Sequence, residues 1–276
     1  MMLDRLRLAF ARLFALVEIL TRLGFVRSTD VSILRREMDA IRSRQDVEPQ
    51  FIAQFESDRK SQAYQAVYES RTPLVTVCVA TYNGGPMLVE RCLPSIMEQD
   101  YENLEILVVG DCCTDNTEEL VRNLGDDRIK FTNLPQRGSY PDDPLSRWMV
   151  AGTAPMNFAL ERARGSFITH LDHDDAYTRD RISSLLRFIQ NERADLVWHP
   201  FLSAKTYGLW KYIKAESFEF GLVTTSSIFY HRWLRQIPWD IESYKYQEPG
   251  DWNRLRKMRY IGAKLSRHPG CFLRHY

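Results

Sequence analysis

Two hydrophobic periods divide the chain. Up to about residue 72 the apolar positions recur at helical spacing, and Gly24 and Pro49 are the only glycine and proline in that stretch. From Pro73 onward, short Val- and Ile-rich runs alternate with helix-period segments. That alternation predicts an α/β domain with a mainly parallel sheet. The expected organisation is therefore a helical extension over 1–72 and an α/β domain over 73–276.

In the extension, Leu3, Leu6, Phe10, Leu13, Val17 and Leu20 share one helical face, with Arg5, Arg7, Arg12 and Arg22 between them. An amphipathic helix of this kind packs on the body or on a second copy of the chain, or lies in a membrane interface. Its charges interrupt it too often for a spanning segment or a signal-peptide core. A second helix is expected over Val31 to Arg44, with Ile33, Leu34, Met38 and Ile41 on one side.

In the larger part, strands are expected at 74–79, 104–109, 129–132, 166–171 and 195–199. The turn Tyr82-Asn83-Gly84-Gly85-Pro86 opens a helix with Leu88, Cys92 and Ile96 inward and a possible kink at Pro94. Asp115 and Glu118 resemble a capping box, and Gly125 closes the helix they start. Residues 133–156 read as irregular, 157–164 as a helix, and Thr178 as the cap of a helix carrying Ile182, Leu185, Leu186 and Ile189.

With 276 residues the chain buries a core without staples, and its five cysteines form no CxxC pair, which disfavours zinc and suits a reducing cytoplasm. A formal net charge of +1 supplies no basic field, so nucleic acid is not an expected partner.

The chemistry concentrates where strands end. Asp172-His173-Asp174-Asp175 follows the run Phe167-Ile168-Thr169-His170-Leu171. Ionised Asp is costly to bury alone, so the cluster either faces solvent or awaits a hard cation such as Mg²⁺ or Mn²⁺, which in turn holds phosphates. In an extended segment Asp172 and Asp174 face the same way and His173 the other. Thr81-Tyr82-Asn83 and Gly110-Asp111 should converge on the same ligand region, since ligands of open α/β sheets bind beyond the carboxyl ends of the strands. Tyr82 could lie against a base and Asp111 accept from a base or ribose, although Asn, Asp and Gly also follow strands for turn reasons alone. Asp251 could be an N-cap or a general base. His275 could complete a metal or phosphate site or simply be solvated.

Val77-Cys78-Val79-Ala80-Thr81-Tyr82-Asn83, then Leu93, Ser95, Ile96 and Gln99, then Glu105-Ile106-Leu107-Val108-Val109-Gly110-Asp111 with Thr114-Asp115, resemble the start of the family-two glycosyltransferases of GT-A fold. The acidic cluster resembles their DxD motif, and Glu248-Pro249-Gly250-Asp251-Trp252 their ED-type motif. The resemblance implies a Rossmann-like GT-A domain that inverts configuration while moving a sugar from a nucleotide-sugar donor, usually a UDP-sugar, to a glycan or glycolipid acceptor. It implies nucleotide contacts at Ala80, Tyr82, Asp111 and Asp172, Mn²⁺ or Mg²⁺ held by Asp174 with Asp172, and Asp251 as the catalytic base. Arg147 or Arg137 faces the donor phosphates on this reading, Trp148 stacks on a sugar, and residues 200–246 shape the acceptor site. A cytoplasmic enzyme follows, peripheral to the inner membrane face or self-associated through residues 1–72. Gly110 and Pro155-Met156 depart from the family's usual Asp and Ala-Arg. A sugar nucleotidyltransferase would bring a basic Gly-rich loop that Asn83-Gly84-Gly85-Pro86 lacks; a non-catalytic nucleotide- or sugar-binding scaffold is the other alternative.

Overall fold

The runs Val75–Thr81 (β1) and Leu104–Gly110 (β2) are buried along nearly their whole length, as the inner strands of a sheet covered on both faces must be. Residues 28–204 and 208–276 are described here, from a computed structural model of the chain. The amphipathic segment expected over residues 1–25 lies outside them.

The remaining strands are β3 (Ile129–Asn133), β4 (Phe167–His170), β5 (Ala176–Tyr177), β6 (Leu196–Trp198), β7 (Phe201–Ala204), β8 (Trp210–Ile213), β9 (Ile228–His231), β10 (Leu265–Arg267) and β11 (Leu273–His275). Seven form one sheet in the order β10-β6-β9-β4-β1-β2-β3, and four form a smaller one in the order β5-β11-β7-β8. All five strands expected from the pattern are present. β9 is an addition: it runs antiparallel between β4 and β6, pairing Phe167 with His231 and Trp198 with Ile228, so the sheet is mixed. It falls within the segment read only as acceptor-shaping.

Among the helices, α1 (Ser28–Asp46), α2 (Pro49–Lys60) and α3 (Gln62–Glu69) precede the sheet. The helix after β1 does not simply kink at its proline. It runs from α4 (Gly85–Met87) through a π turn at Leu88–Cys92 into α5 (Leu93–Met97), with the Leu93 N–H bonded to the Leu88 carbonyl. Pro94 lacks an N–H and its ring crowds the preceding turn, and the wider turn just before it takes up that misfit. Leu88, Cys92 and Ile96 are buried as expected.

Next come α6 (Thr117–Arg122), α7 (Pro144–Val150), α8 (Thr153–Arg162), α9 (Arg181–Glu192) and α10 (Gly250–Tyr260). Asp115 holds the start of α6 through the Thr117 N–H and hydroxyl at 3.2 and 2.6 Å, while Glu118 pairs with Arg122 rather than completing a capping box. Thr178 bonds Asp180, and α9 begins only at Arg181. α7 occupies the stretch read as irregular; Asp143 caps it through the Ser146 N–H at 2.8 Å and Pro144 opens it. That Asp-Pro pair was a visible start signal.

The extension shares the core. Phe55, Tyr64, Val67 and Tyr68 are buried with the sheet residues, Tyr64 donates to Asp195 at 2.7 Å, and its ring stacks on His231 at 3.7 Å. On α1, buried Asp39 accepts from Trp252 at 3.2 Å and Arg259 at 3.1 Å, and Ser43 accepts from Arg256 at 3.1 Å. The apolar side expected to carry Ile33, Leu34 and Ile41 faces outward instead. Among the described residues no helix is long and apolar enough to cross a membrane.

Candidate active site

β1, β2 and β4 all deliver their carboxyl ends to one cleft of about 630 Å³, whose wall includes Ala80, Tyr82, Asp111, Asp172, Asp174 and Asp251. Side chains far apart in sequence meet there because the parallel register aligns the strand ends: Thr81 lies beside Gly110, and Cys78 beside His170.

At the β2 end, buried Asp111 accepts from the Gly138 N–H at 3.1 Å and lies 3.7 Å from the Arg137 guanidinium. That guanidinium also covers the ring of the exposed Tyr82, 3.5 Å from its centroid. Together they form a flat, charged platform beside a carboxylate acceptor, chemistry suited to a nucleobase with an N–H to donate. Arg147, expected at the nucleotide, does not line the cleft: it donates to the carbonyls of Pro141 and Asp142 at 3.0 and 2.7 Å, bracing the start of α7. The departure at Gly110 has a local reason. A Cβ there would meet Asn133 Oδ1 at 2.6 Å, and that same Asn133 brackets Cys113, accepting from its N–H and donating to its carbonyl at 2.8 Å each.

Beyond β4 the chain does not stay extended. Asp175 N–H bonds the Asp172 carbonyl at 3.0 Å, closing a four-residue turn. Strand alternation therefore fails here, and the turn brings Asp172 toward Asp175 rather than Asp174. Asp at the first position of such a turn was the available signal. One donor atom from each of Asp172, Asp175 and His275 lies within 4.8 Å of the other two. Asp174 stays on the cleft wall, outside that trio, with its carbonyl held by Arg91 at 2.7 Å. His173 also lines the cleft and packs over Gly84, where a Cβ would come within 2.5 Å of the imidazole. His170 is buried against Tyr230, 2.7 Å from its hydroxyl, and burial keeps it neutral, far below the usual histidine range.

The small sheet supplies His275. β11 pairs with β5 and β7, which sets His275 beside the turn, where its Nδ1 is 2.8 Å from Asp175. The Tyr276 N–H donates to the other Asp175 oxygen at 2.9 Å. Hydrogen bonding to Asp175 raises the His275 pKa. Burial, with Asp175 and Asp174 adding to it, pushes the Asp172 carboxyl up to about 7. Two crowded carboxylates and an imidazole form a donor set that fits a divalent cation, whose charge would offset the crowding.

Asp251 stands in the first turn of α10, and its Oδ1 accepts from the Trp252 N–H at 2.6 Å. It thus satisfies a helix-start donor while lining the cleft, and burial raises its pKa. Glu248 anchors this turn from beneath: it pairs with Arg256 at 2.6 Å and accepts from Asn253 at 2.8 Å, all three buried. The neighbouring wall is apolar, with Met149, Phe220, Val223, Trp239 and Trp252, and Trp148 stands 71% exposed at the rim. Asn157 ties Trp239 into that wall through two bonds to its backbone, at 3.0 and 2.8 Å.

The model of glycosyl transferase family 2 matches residues 76–140 and 151–257. Among curated proteins, the chain is 32% identical over 137 residues to a putative colanic acid biosynthesis glycosyl transferase, WcaA, of Escherichia coli, covering 49% of this chain and 43% of that one. It is 36% identical over 117 residues to the GalNAc(5)-diNAcBac-PP-undecaprenol beta-1,3-glucosyltransferase of Campylobacter jejuni, covering 42% and 34%. The chain thus spans about half or less of the length of these relatives. Among solved structures, S. aureus TarS in complex with UDP-GlcNAc superposes with a TM-score of 0.58 at 21% identity, covering 73% of this chain and 58% of that one. The mannosyltransferase PcManGT of Pyrobaculum calidifontis, in complex with GDP-Man and Mn²⁺, gives 0.53 at 19%, covering 86% and 67%. These likenesses establish the GT-A fold. Since the family match spans well over half of the residues and includes the strand ends, the acidic turn and the start of α10, this chain belongs to glycosyl transferase family 2.

Proposed function

We propose that this protein is an inverting glycosyltransferase that moves a sugar from a UDP-sugar to a hydroxyl of a glycan or glycolipid acceptor at the cytoplasmic face of a membrane. The observation that carries the reading is the single cleft lined by Asp111 at one end, the acidic turn in the middle and Asp251 beside an apolar wall. The C. jejuni relative's name, a glucosyltransferase for an undecaprenol-linked sugar, supports a lipid-linked acceptor.

In this mechanism Asp111 accepts the N–H of the base, and Tyr82 with Arg137 flanks its ring. Asp172, Asp175 and His275 would hold a divalent cation, Mn²⁺ or Mg²⁺, whose charge when bound offsets that developing on the departing diphosphate. Asp174, on the same wall, adds negative potential there. The acceptor hydroxyl attacks the anomeric carbon from the side opposite the diphosphate, and Asp251 takes its proton as the new C–O bond forms and the old one breaks. A carboxyl raised by burial is a stronger base than one in water, which suits that task.

Asp251→Asn tests the assignment. With UDP-GlcNAc or UDP-Glc as donor and an undecaprenyl-diphosphate sugar as acceptor, transfer should fall by roughly 10²–10⁴-fold. Binding of UDP by calorimetry should be unchanged. Full activity in the variant would remove Asp251 as the base, and no thermal shift of the wild type with any nucleoside diphosphate plus Mn²⁺ would remove the nucleotide site.

A further inference from the structure

Helix α1 is oriented against its own hydrophobic pattern. The face it lays on the body is polar, with Asp39, Ser43 and Arg42 bonded to Trp252, Arg256 and the Tyr246 carbonyl. Its outer face holds Ile33, Leu34 and Ile41 at 54, 40 and 43% exposure. A helix docked for stability alone would turn these side chains inward.

The outward residues follow a rule of their own. Val31, Leu34, Met38 and Ile41 step by three and four residues, the a and d positions of a heptad. Val31 and Met38 are half-buried at the margin, while Leu34 and Ile41, both d positions, stand in solvent. Carried backward in the same frame, the d positions read Leu20, Leu13 and Leu6, and the a positions Val17, Phe10 and Leu3. Only Gly24 and Arg27 interrupt the frame. A single amphipathic helix needs no such constant frame, whereas a seam between two helices does, because each a and d knob fills a hole on a facing helix.

From this we infer that α1 is one strand of a parallel two-stranded coiled coil whose other strand is α1 of a second copy of this chain. The occupant is identified by the seam. Leucine recurs at d, with valine at a in Val17 and Val31, and leucine at d with a β-branched residue at a is the pairing that favours two parallel strands. An isologous pairing also sets each stripe against an identical one, which is self-complementary without any further partner.

The test uses the full chain. Sedimentation equilibrium over a concentration series should give twice the chain mass, and Leu34→Glu with Ile41→Glu should halve it while the circular dichroism spectrum and the UDP titration stay as in the wild type. Leu34→Cys, oxidised, should form a disulfide-linked dimer, because a parallel in-register pair sets this position against itself. A wild type of single-chain mass throughout, a mass other than two chains, or a double variant that remains dimeric would overturn the inference. So would a monomeric wild type that binds phosphatidylglycerol vesicles through this stripe, which would assign the face to a lipid surface.

Discussion

The two ends of the cleft are built in different ways. At the Asp111 end the functional residues follow directly from parallel strands, each a few positions past a buried run that shows in the sequence as β1 or β2. At the Asp251 end the wall is assembled from the small sheet, the loop over 220–225, α10 and the loop carrying Trp239, which are joined by pairings such as His275 with Ser203 and by buried ion pairs. The first end depends on local pattern and register. The second depends on tertiary contacts, and its stability should be correspondingly easier to break by single substitutions.

Two buried glutamates make that contrast measurable. Glu105, on β2, accepts from Thr76 at 2.8 Å and from Arg164 at 2.7 Å and pairs with Lys130 at 3.2 Å, but both cations are at least half exposed. Glu248 faces Arg256, with both side chains 1% exposed. Removing one partner of a buried pair strands the other charge, while an exposed cation recovers water. Glu248→Gln should therefore cost about 3 kcal/mol in chemical denaturation, part of the penalty being offset by Asp46, 2.5 Å from Arg256, and should lower transfer by loosening the Asp251 turn. Glu105→Gln should cost about 1 kcal/mol. Equal losses would show that the two ends are equally robust.

The same division explains what could be read from the chain alone. The five strands expected from hydrophobic runs are present because burial on both faces leaves a continuous apolar signature, and Ala80, Tyr82, Asp111 and Asp251 are on the cleft wall where the motifs pointed. The partnership of Asp175 with His275 was not legible, since residues 100 apart in sequence meet through a sheet whose strands are short and only partly buried; β9 is wholly buried, but its four residues are too short a run to stand out within the segment read as acceptor-shaping. Arg147 misled for the opposite reason: a basic residue near a phosphate site is a plausible ligand until the carbonyls of its own loop claim it.

Acidification should weaken the sheet through His231, which pairs with Phe167 at the start of β4, the end away from the cleft. Every histidine of the chain lies from His170 onward. Burial holds His231 near 3, stacked on Tyr64 and accepting the Trp233 N–H at 3.1 Å. In the unfolded chain the imidazole takes a proton near its ordinary value of about 6.5, so below that pH the unfolded state binds more protons and stability falls until the folded pKa is reached. Between about pH 6.5 and 4.5 this one group should remove roughly 2 kcal/mol. His231→Phe should flatten the fall in urea midpoint over that window by that amount, after its own pH-independent loss. An unchanged slope would mean that other groups carry the acid sensitivity.

A change confined to binding probes the first end. Asp111 is buried but well supplied, with the Gly138 N–H at 3.1 Å and the Arg137 guanidinium at 3.7 Å, so Asp111→Asn should leave the fold intact. An amide at this position keeps one acceptor but loses the charge that a base N–H and Arg137 both address, and a hydrogen bond to a charged group contributes about 1.5–3 kcal/mol. UDP affinity should fall roughly 10-fold or more on that scale, with the loss appearing in the KM for the donor while kcat changes little, since the proposed mechanism puts the reacting carbon at the other end of the cleft. Asp251→Asn should give the inverse split. If Asp111→Asn instead lowered kcat and spared the donor KM, the two ends would not be separate in function, and the division between a base-binding end and a reacting end would fail.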